Sequence, residues 1–158
     1  MKRLFTILIL SFFALNIYAQ NQPTYPEPKE GFKRVDLLLP EIKNSKDYKV
    51  QIKFSFEASV IECSNVDFSF NRKNLKEEYG IPQNSRFPYY VIENDKAEFF
   101  QEMSSDCKSE KKVNRKIFSS QEILIEYQSN YARPFYIPES WSVEYRIWKS
   151  NNEYNTIK

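Results

Sequence analysis

A strict alternation of apolar and polar residues in the middle of the chain constrains the fold more than any other feature. The apolar members are Val50, Ile52, Phe54 and Phe56, and the polar ones are Gln51, Lys53, Ser55 and Glu57. Successive side chains of a strand point to opposite faces of a sheet, so this period of two predicts a strand that is buried on one face. The pattern continues as far as Cys63.

Shorter segments elsewhere have the same β character, and no helical stripe of useful length is present. The polar stretch 71–78 is compatible with one helical turn at most, and 93–106 reads as a mostly polar connection. The predicted strands are 32–39, 50–63, 66–70, 89–92, 117–118, 123–127, 135–137 and 141–148. Seven or eight short strands with proline-rich and polar turns predict a single all-β domain, an antiparallel β-sandwich or barrel-like fold.

The first 19 residues have the features of a secretory signal peptide. A short basic start precedes the apolar run 4–15, and cleavage is expected after Ala19. Residues 20–158 then form the expected domain, with 21 acidic and 21 basic side chains. A neutral domain gives no general reason to bind nucleic acid or an anionic membrane. We therefore expect a periplasmic or secreted protein.

The residues that are missing from the composition exclude several function classes. Histidine is absent, which excludes His-based acid–base catalysis and His metal ligands. The two glycines, Gly31 and Gly80, cannot form a phosphate-binding glycine loop. Two cysteines cannot build a four-thiolate metal site. No cofactor and no metal are expected, and an enzyme would have to rely on Asp, Glu, Lys or Tyr.

Cys63 and Cys107 are expected to form a disulfide, because an even cysteine count behind a signal peptide indicates an oxidising compartment. The bond is either a plain staple or the support of a functional loop. The stretch 101–106 before Cys107 is polar and lacks glycine and proline. An extended segment tethered in this way suits a loop that a partner binds in β conformation.

Three other features have a functional interpretation beside a structural one. The many aromatic residues are interpreted as core and sheet faces, with a glycan-binding face as the alternative. Lys111, Lys112, Arg115 and Lys116 are interpreted as a solvated strand face, with a polyanion site as the alternative. Paired acids such as Glu77 and Glu78 are interpreted as solvated surface rather than as catalytic groups.

Short motifs are spread along the chain from near its start to near its end. They are Tyr25-Pro26, Gly31, Lys33-Arg34, Cys63, Tyr89-Tyr90-Val91, Cys107, Tyr127, Tyr136-x-Pro138 and Val143-x-Tyr145-Arg146-x-Trp148-Lys149. In order and spacing, over some 125 residues, they resemble the ecotin family of bacterial periplasmic inhibitors of chymotrypsin-fold serine proteases.

The resemblance implies substrate-like inhibition through the segment just before Cys107. By the family pattern, Ser104 enters the S1 pocket of the protease, and the reactive bond is Ser104–Ser105. The neighbouring contacts would be Gln101, Glu102, Met103 and Asp106. A residue as small as serine favours proteases with small, elastase-like S1 pockets, because each missing buried methylene costs about 0.8 kcal/mol. A shift of one residue would present Met103 instead.

The resemblance also implies a secondary protease-binding site and a dimer. The secondary site would use the loop 80–88 and the segment 126–133, with Arg86, Phe87, Glu126, Gln128 and Asn130 as contacts. The dimer would form through the C-terminal strand, with Trp141, Val143, Tyr145, Ile147 and Trp148. A homodimer would then bind two proteases in a heterotetramer. The alternative is a secreted β-sandwich binding module, for example for glycans, that shares only the scaffold.

Overall fold

The computed structural model describes residues 23–81, 87–151, 153 and 155–157. Over these residues the chain forms ten strands and two single 3₁₀ turns, with no α-helix, which confirms the all-β prediction. The strands are β1 (Phe32–Leu37), β2 (Tyr48–Ile61), β3 (Ser64–Ser69), β4 (Leu75–Tyr79), β5 (Pro88–Ile92), β6 (Glu98–Met103), β7 (Lys112–Ser119), β8 (Ile123–Glu126), β9 (Arg133–Pro138) and β10 (Ser142–Lys149). No helix of this part of the chain is long and apolar enough to cross a membrane.

The strands form two open sheets. One has the order β1-β9-β5-β4, and the other has the order β10-β2-β7-β3-β6 with β8 also paired to β2. Most pairs are antiparallel, but β5–β9 and β3–β7 are parallel. The sheets are therefore mixed, whereas the sequence predicted antiparallel pairing throughout. Alternation reports which face of a strand is buried and carries no information about the direction of its neighbour.

Strand β2 connects the parts of the larger sheet. Its first half pairs with β10 along one edge and with β8 along the other, and its second half pairs with β7. Val50, Ile52 and Phe54 on its inner face are at most 1 % exposed. The alternation that predicted this strand thus marks the face against which the second sheet packs.

An aromatic cluster fills the space between the sheets. Trp141 is 2 % exposed and its ring lies 5.0 Å from that of Phe68 and 6.1 Å from that of Phe54. Phe135 of the smaller sheet faces Phe54 at 6.5 Å. Trp141 therefore belongs to the core of its own chain and lies one residue before β10, whereas the sequence placed it in the C-terminal strand.

Two strands escaped prediction. β4 lies in the stretch expected to be polar with at most one helical turn, and that turn is the 3₁₀ segment Arg72–Asn74 that precedes it. β6 lies in the stretch expected to be a polar connection. Both strands are at a sheet edge and nearly all their side chains are exposed, so neither needs the apolar alternation that identifies a half-buried strand.

The proline-containing arm before β1 packs on the smaller sheet. Thr24 forms an isolated bridge with Ile81, and the Tyr136 hydroxyl donates to the Pro26 carbonyl. Gly80 is required here, because a Cβ at this position would lie 2.8 Å from the Tyr25 ring. Several of the motif residues named above thus hold this arm in place.

The buried hydroxyl of Tyr90 makes the free energy of unfolding depend on pH in the alkaline range. It is 7 % exposed, stacks on Phe135 at 5.2 Å and donates its hydroxyl to Glu77 Oε2 at 3.2 Å. Burial, together with the Glu77 carboxylate, raises the pKa of Tyr90 above the ordinary value of 10.0. The folded state therefore holds the proton more tightly than the unfolded chain does. The resulting stabilisation is complete below pH 10 and is lost as the pH rises above it.

We predict that Tyr90→Phe makes the free energy of unfolding fall less steeply above about pH 10, by up to roughly 1.4 kcal/mol per pH unit. Urea unfolding at several alkaline pH values measures this slope. Tyr145→Phe, which removes a hydroxyl from a residue 51 % exposed, is the matched control. Equal slopes for Tyr90→Phe and the unmodified protein would show that the buried phenol does not control alkaline stability.

Candidate functional site

Four strand ends meet at one end of the six-stranded sheet. β2 ends at Ile61, which pairs with Lys112 at the start of β7. β3 begins at Ser64, which pairs with Met103 at the end of β6. The turn between β2 and β3 and the loop between β6 and β7 are therefore neighbours by sheet topology.

A disulfide joins these two connections, as the sequence predicted. Cys63 in the β2–β3 turn is bonded to Cys107 in the β6–β7 loop, with 5.7 Å between the two Cα atoms. The expectation of an extended segment before Cys107 holds for Gln101, Glu102 and Met103, which form the last half of β6.

Residues 104–107 form a turn instead of continuing the extended segment. The Cys107 N–H donates to the Ser104 carbonyl at 2.9 Å, and the Asp106 N–H lies 3.4 Å from Ser104 Oγ. Two residues, Ser105 and Asp106, lie between Ser104 and the disulfide-bonded Cys107 and form the middle of this turn. All residues from 101 to 106 are exposed, so the Ser104–Ser105 bond is accessible at the end of the sheet.

Strand β6 is the last strand of its sheet and pairs only with β3 among the strands described. Its outer edge presents backbone N–H and C=O groups without a strand partner. Phe99, Phe100 and Met103 are each more than half exposed, although the Phe99 ring packs against Phe56 at 5.8 Å. An edge of this kind is a template on which another chain can add a strand.

The side chain of Arg115 binds the β2–β3 turn. Its Nη2 donates to the carbonyls of Glu62 at 2.8 Å and Ile61 at 3.4 Å, and its Nη1 donates to the carbonyl of Ser64 at 3.2 Å. These residues flank Cys63 on both sides. A guanidinium has five donors in a planar fork, which allows one side chain to hold several carbonyls.

The sequence interpretation of the basic run as a solvated strand face is wrong for Arg115. In β7, Val113, Arg115 and Ile117 occupy the inward positions, and Lys112 and Lys116 occupy the exposed ones. The signal was present in the sequence: a period-two reading of Val113-x-Arg115-x-Ile117 places one arginine in an apolar row. A charge in such a position indicates specific polar partners.

The described ends of the two predicted secondary-site segments are close to each other. β5 and β9 are parallel neighbours, so the residues directly before Pro88 and Arg133 lie at the same end of the smaller sheet. Phe87 packs edge-on against Tyr131 at 5.4 Å, and Gln128 accepts hydrogen bonds from Arg133 and the Tyr131 hydroxyl. Asn130 is exposed.

The backbone of Glu126 is linked to this cluster, because Arg133 Nη1 donates to the Glu126 carbonyl at 3.4 Å. Glu126 is the last residue of β8 and forms an ion pair with Lys49 on β2. Arg86 lies outside the described residues. Of the predicted secondary-site contacts, the structure describes Phe87, Glu126, Gln128 and Asn130.

The predicted dimer strand is the other edge of the six-stranded sheet. Val143, Tyr145 and Ile147 lie opposite Phe54, Ile52 and Val50, on the core face of β2. Tyr145 and Ile147 are nevertheless 51 % and 39 % exposed, and Trp148 on the opposite face is 49 % exposed. The strand is not buried on two sides within one chain.

A shallow groove crosses the outer face of the same sheet. It has a volume of about 470 Å³ and is lined by Phe118, Lys53, Asp67 and Arg146, among others. At its margin Glu144 accepts hydrogen bonds from Lys116 and Ser55. The Lys116 ammonium is the main cause that lowers the pKa of Glu144.

The acidic pair Glu77 and Glu78 lies at the surface, which agrees with the interpretation as solvated residues. Both are exposed on β4, where Glu77 accepts hydrogen bonds from the hydroxyls of Tyr79 and Tyr90. Glu102 and Asp106 are also exposed. Within the described part of the chain, no three His, Cys, Asp or Glu residues are grouped as metal ligands would be.

The fold and the disulfide-tethered turn define a class: a small two-sheet β domain that presents an exposed loop at the end of an edge strand. The family model for ecotin matches residues 21–150, and the chain belongs to the ecotin family. Proteins of this family are inhibitors of serine proteases rather than enzymes, and they are periplasmic. No curated protein is significantly similar to this chain.

The disulfide closes a loop with a sequence separation of 44 residues. We predict that the double variant Cys63→Ser/Cys107→Ser lowers the free energy of unfolding by about 4 kcal/mol, because the unfolded chain regains the entropy of that loop. Urea unfolding measures the loss, and exchange of the Ser105 and Asp106 amides with deuterium reports the local effect. Unchanged exchange at this turn in the still-folded variant would show that the bond stabilises the domain without ordering the loop.

Proposed function

We propose that this protein inhibits chymotrypsin-fold serine proteases by presenting Ser104–Ser105 as a substrate-like reactive bond. The observation that carries the proposal is the position of that bond: it is exposed, follows the edge strand β6 directly, and is three residues from the tethered Cys107. Membership of the ecotin family supplies the reaction class.

The edge strand provides the first part of the mechanism. The outer backbone edge of Gln101, Glu102 and Met103 is free to pair with an extended segment of a protease. Since β3 already holds these residues in β conformation, binding avoids the cost of ordering a free peptide. The side chain contacts would come from the same residues, with Asp106 after the reactive bond.

Binding also requires that a hydrogen bond within the turn be broken, and this costs a small amount of free energy. In the free protein the Ser104 carbonyl accepts a hydrogen bond from the Cys107 N–H. A protease must replace that bond with the donors of its oxyanion hole, an exchange of about 1 kcal/mol. If Ser104–Ser105 is cut, β6 retains the new carboxyl end and the disulfide retains the new amino end, so religation competes with release.

Ser104 determines the preferred target. Its hydroxymethyl group suits a small S1 pocket and leaves a deep one largely empty. Met103, 54 % exposed at the end of β6, is the alternative primary residue. The two possibilities place the cut on different peptide bonds.

The dimer and the secondary site complete the proposal. A second copy would cover the exposed part of β10, so that Tyr145, Ile147 and Trp148 become an interface and Val143 its inner margin. Phe87, Gln128 and Asn130, with Arg86 and Glu126, would contact the protease held by the partner subunit. Binding at two sites raises affinity through effective concentration, and two proteases would occupy one dimer. The site of action would be the periplasm, after cleavage of the signal peptide at Ala19.

Glycan binding is the second candidate, and the outer groove favours it. A groove of about 470 Å³ with an aromatic ring at Phe118 and polar groups such as Asp67 and Lys53 has the mixed lining of a small-ligand site. Under this alternative, replacement of Ser104 would have no effect on function.

We predict that the mature protein inhibits neutrophil elastase more tightly than trypsin or chymotrypsin, and that Ser104→Met strengthens inhibition of chymotrypsin about 10- to 100-fold. The gain comes from burying the larger apolar side chain in a deep S1 pocket, worth about 1.5–3 kcal/mol. Inhibition titrations give the affinities, and mass spectrometry locates any cut. Ser104→Ala, equally small, is the control and should retain elastase inhibition.

The position of the cut and the presence or absence of inhibition distinguish the alternatives. A cut at Met103–Ser104 would assign the primary position to Met103. Digestion without inhibition of any of the three enzymes would reject the inhibitor proposal for these targets and leave glycan binding as the better function.

We predict a homodimer that depends on β10. Tyr145→Lys/Ile147→Lys places charges on exposed apolar positions of the edge strand and should weaken association more than tenfold, as measured by sedimentation equilibrium. Leu38→Lys, at a residue 66 % exposed after β1, is the matched control. Association that resists the double variant, or a monomeric unmodified protein, would remove β10 from the interface.

A further inference from the structure

We propose that Arg115 is a positioning residue for the reactive bond, a role that rests on the proposed function. Its guanidinium fixes the turn that carries Cys63, and the disulfide transmits that position to the loop. This one inward-facing arginine on β7 donates hydrogen bonds to three backbone carbonyls at the β2–β3 turn.

A disulfide can fix the position of one cysteine only if the other cysteine is itself held in place. Cys63 lies in a short turn that connects β2 to β3, two strands that are separated in the sheet by β7 and both pair with it. Arg115 donates to Glu62 on one side of the cysteine and to Ser64 on the other. These hydrogen bonds lie on both sides of Cys63, so the Arg115 side chain holds the backbone before and after this cysteine.

The path from Arg115 to the reactive bond is short and continuous. The turn carries Cys63, Cys63 is bonded to Cys107, and the Cys107 N–H donates to the Ser104 carbonyl. Every step runs through a covalent bond or a hydrogen bond at the same end of the sheet. Arg115 itself does not touch the reactive bond.

A second side chain also contacts the turn, but this contact is weaker because both of its partners are exposed. Lys111 Nζ pairs with Glu62 Oε1 at 3.0 Å, but both side chains are largely in solvent, 68 % and 47 % exposed. Exposed ion pairs of this kind contribute little. Arg115 is half-buried and donates to three backbone carbonyls, at 2.8, 3.2 and 3.4 Å, and hydrogen bonds from a charged donor are stronger than neutral ones. The position of the turn therefore depends on the Arg115 guanidinium more than on the Lys111 ammonium, although the Lys111 carbonyl also accepts from the Glu62 N–H at 2.9 Å.

The consequence concerns what happens after the bond is cut. If the turn loosens, the new amino end at Ser105 moves away from the carboxyl end at Ser104, and religation becomes rarer. Small displacements of reacting groups change rates by up to about 100-fold. The loss of Arg115 should thus convert a lasting inhibitor into one that is slowly consumed.

The test uses the full mature dimer and a protease that the unmodified protein inhibits. Arg115→Met keeps the aliphatic stem and removes the donors. Lys112→Met, an exposed change on the opposite face of the same strand, is the matched control. We measure the inhibition constant, and the ratio of cut to intact inhibitor at equilibrium with catalytic protease, well below the unfolding temperature. We expect Arg115→Met to raise that ratio about tenfold, and Lys112→Met to leave it unchanged.

The equilibrium ratio separates positioning from general stability. A variant that only weakens the fold lowers the unfolding temperature and leaves the cut-to-intact ratio of the folded protein as it was. Arg115→Lys keeps the charge but not the planar fork, and an intermediate ratio is expected. This variant also decides the question if Arg115→Met does not fold.

Two failures are distinguishable. If the unmodified protein inhibits no protease, the proposed function fails whatever Arg115 does. If it inhibits and the ratio for Arg115→Met lies within about twofold of the unmodified one, the positioning role is rejected while inhibition stands. A ratio for Arg115→Lys equal to the unmodified one would reject the role of the guanidinium fork.

Discussion

Strand β2 pairs with three strands along its 14 residues and buries Val50, Ile52 and Phe54 against the other sheet. Its first half is held by β10 and β8, and its second half by β7. The residue after its last pair, Glu62, begins the turn that carries the disulfide. Both the turn that carries Cys63 and the β10 edge are thus attached to one strand, whose position is fixed by the aromatic core around Phe54 and Trp141. A change that shifts the register of β2 by one residue would move Cys63 and the β10 edge together.

The sequence predicted what depends on burial and missed what depends on pairing. The alternation from Val50 onward identified β2 and its buried face, because that face excludes water. It did not identify β6, since all six of its residues are exposed, and it placed no parallel pair. The disulfide followed from an even number of cysteines behind a predicted signal peptide. The turn at residues 104–107 did not, because it depends on where β6 stops relative to Cys63, a distance that only the assembled sheet defines.

Arg115 shows the same limit at the level of a single side chain. Its neighbours Lys112 and Lys116 share its charge, and together they read as one solvated basic face. Their positions in β7 separate them: the lysines are exposed and the arginine faces inward between Val113 and Ile117. Counting charge along the sequence treats the three as equal, whereas reading the strand with a period of two distinguishes them. The partners, carbonyls of residues 61, 62 and 64, are more than 50 residues away in the chain.

Under the proposed function, the small size of the reactive residue Ser104 and the support of the loop are related. With serine in the primary position, little apolar burial is available in the S1 pocket, so affinity has to come from backbone pairing along β6, from a second site, or from a low cost of ordering. The turn carbonyls held by Arg115, the disulfide and the pairing of β6 with β3 all reduce that ordering cost, and none of them depends on the identity of residue 104. A loop supported in this way can vary its primary residue while the rest of the contact stays the same. Ser104 would then determine which proteases are inhibited, and the turn that carries Cys63 would determine how long inhibition lasts.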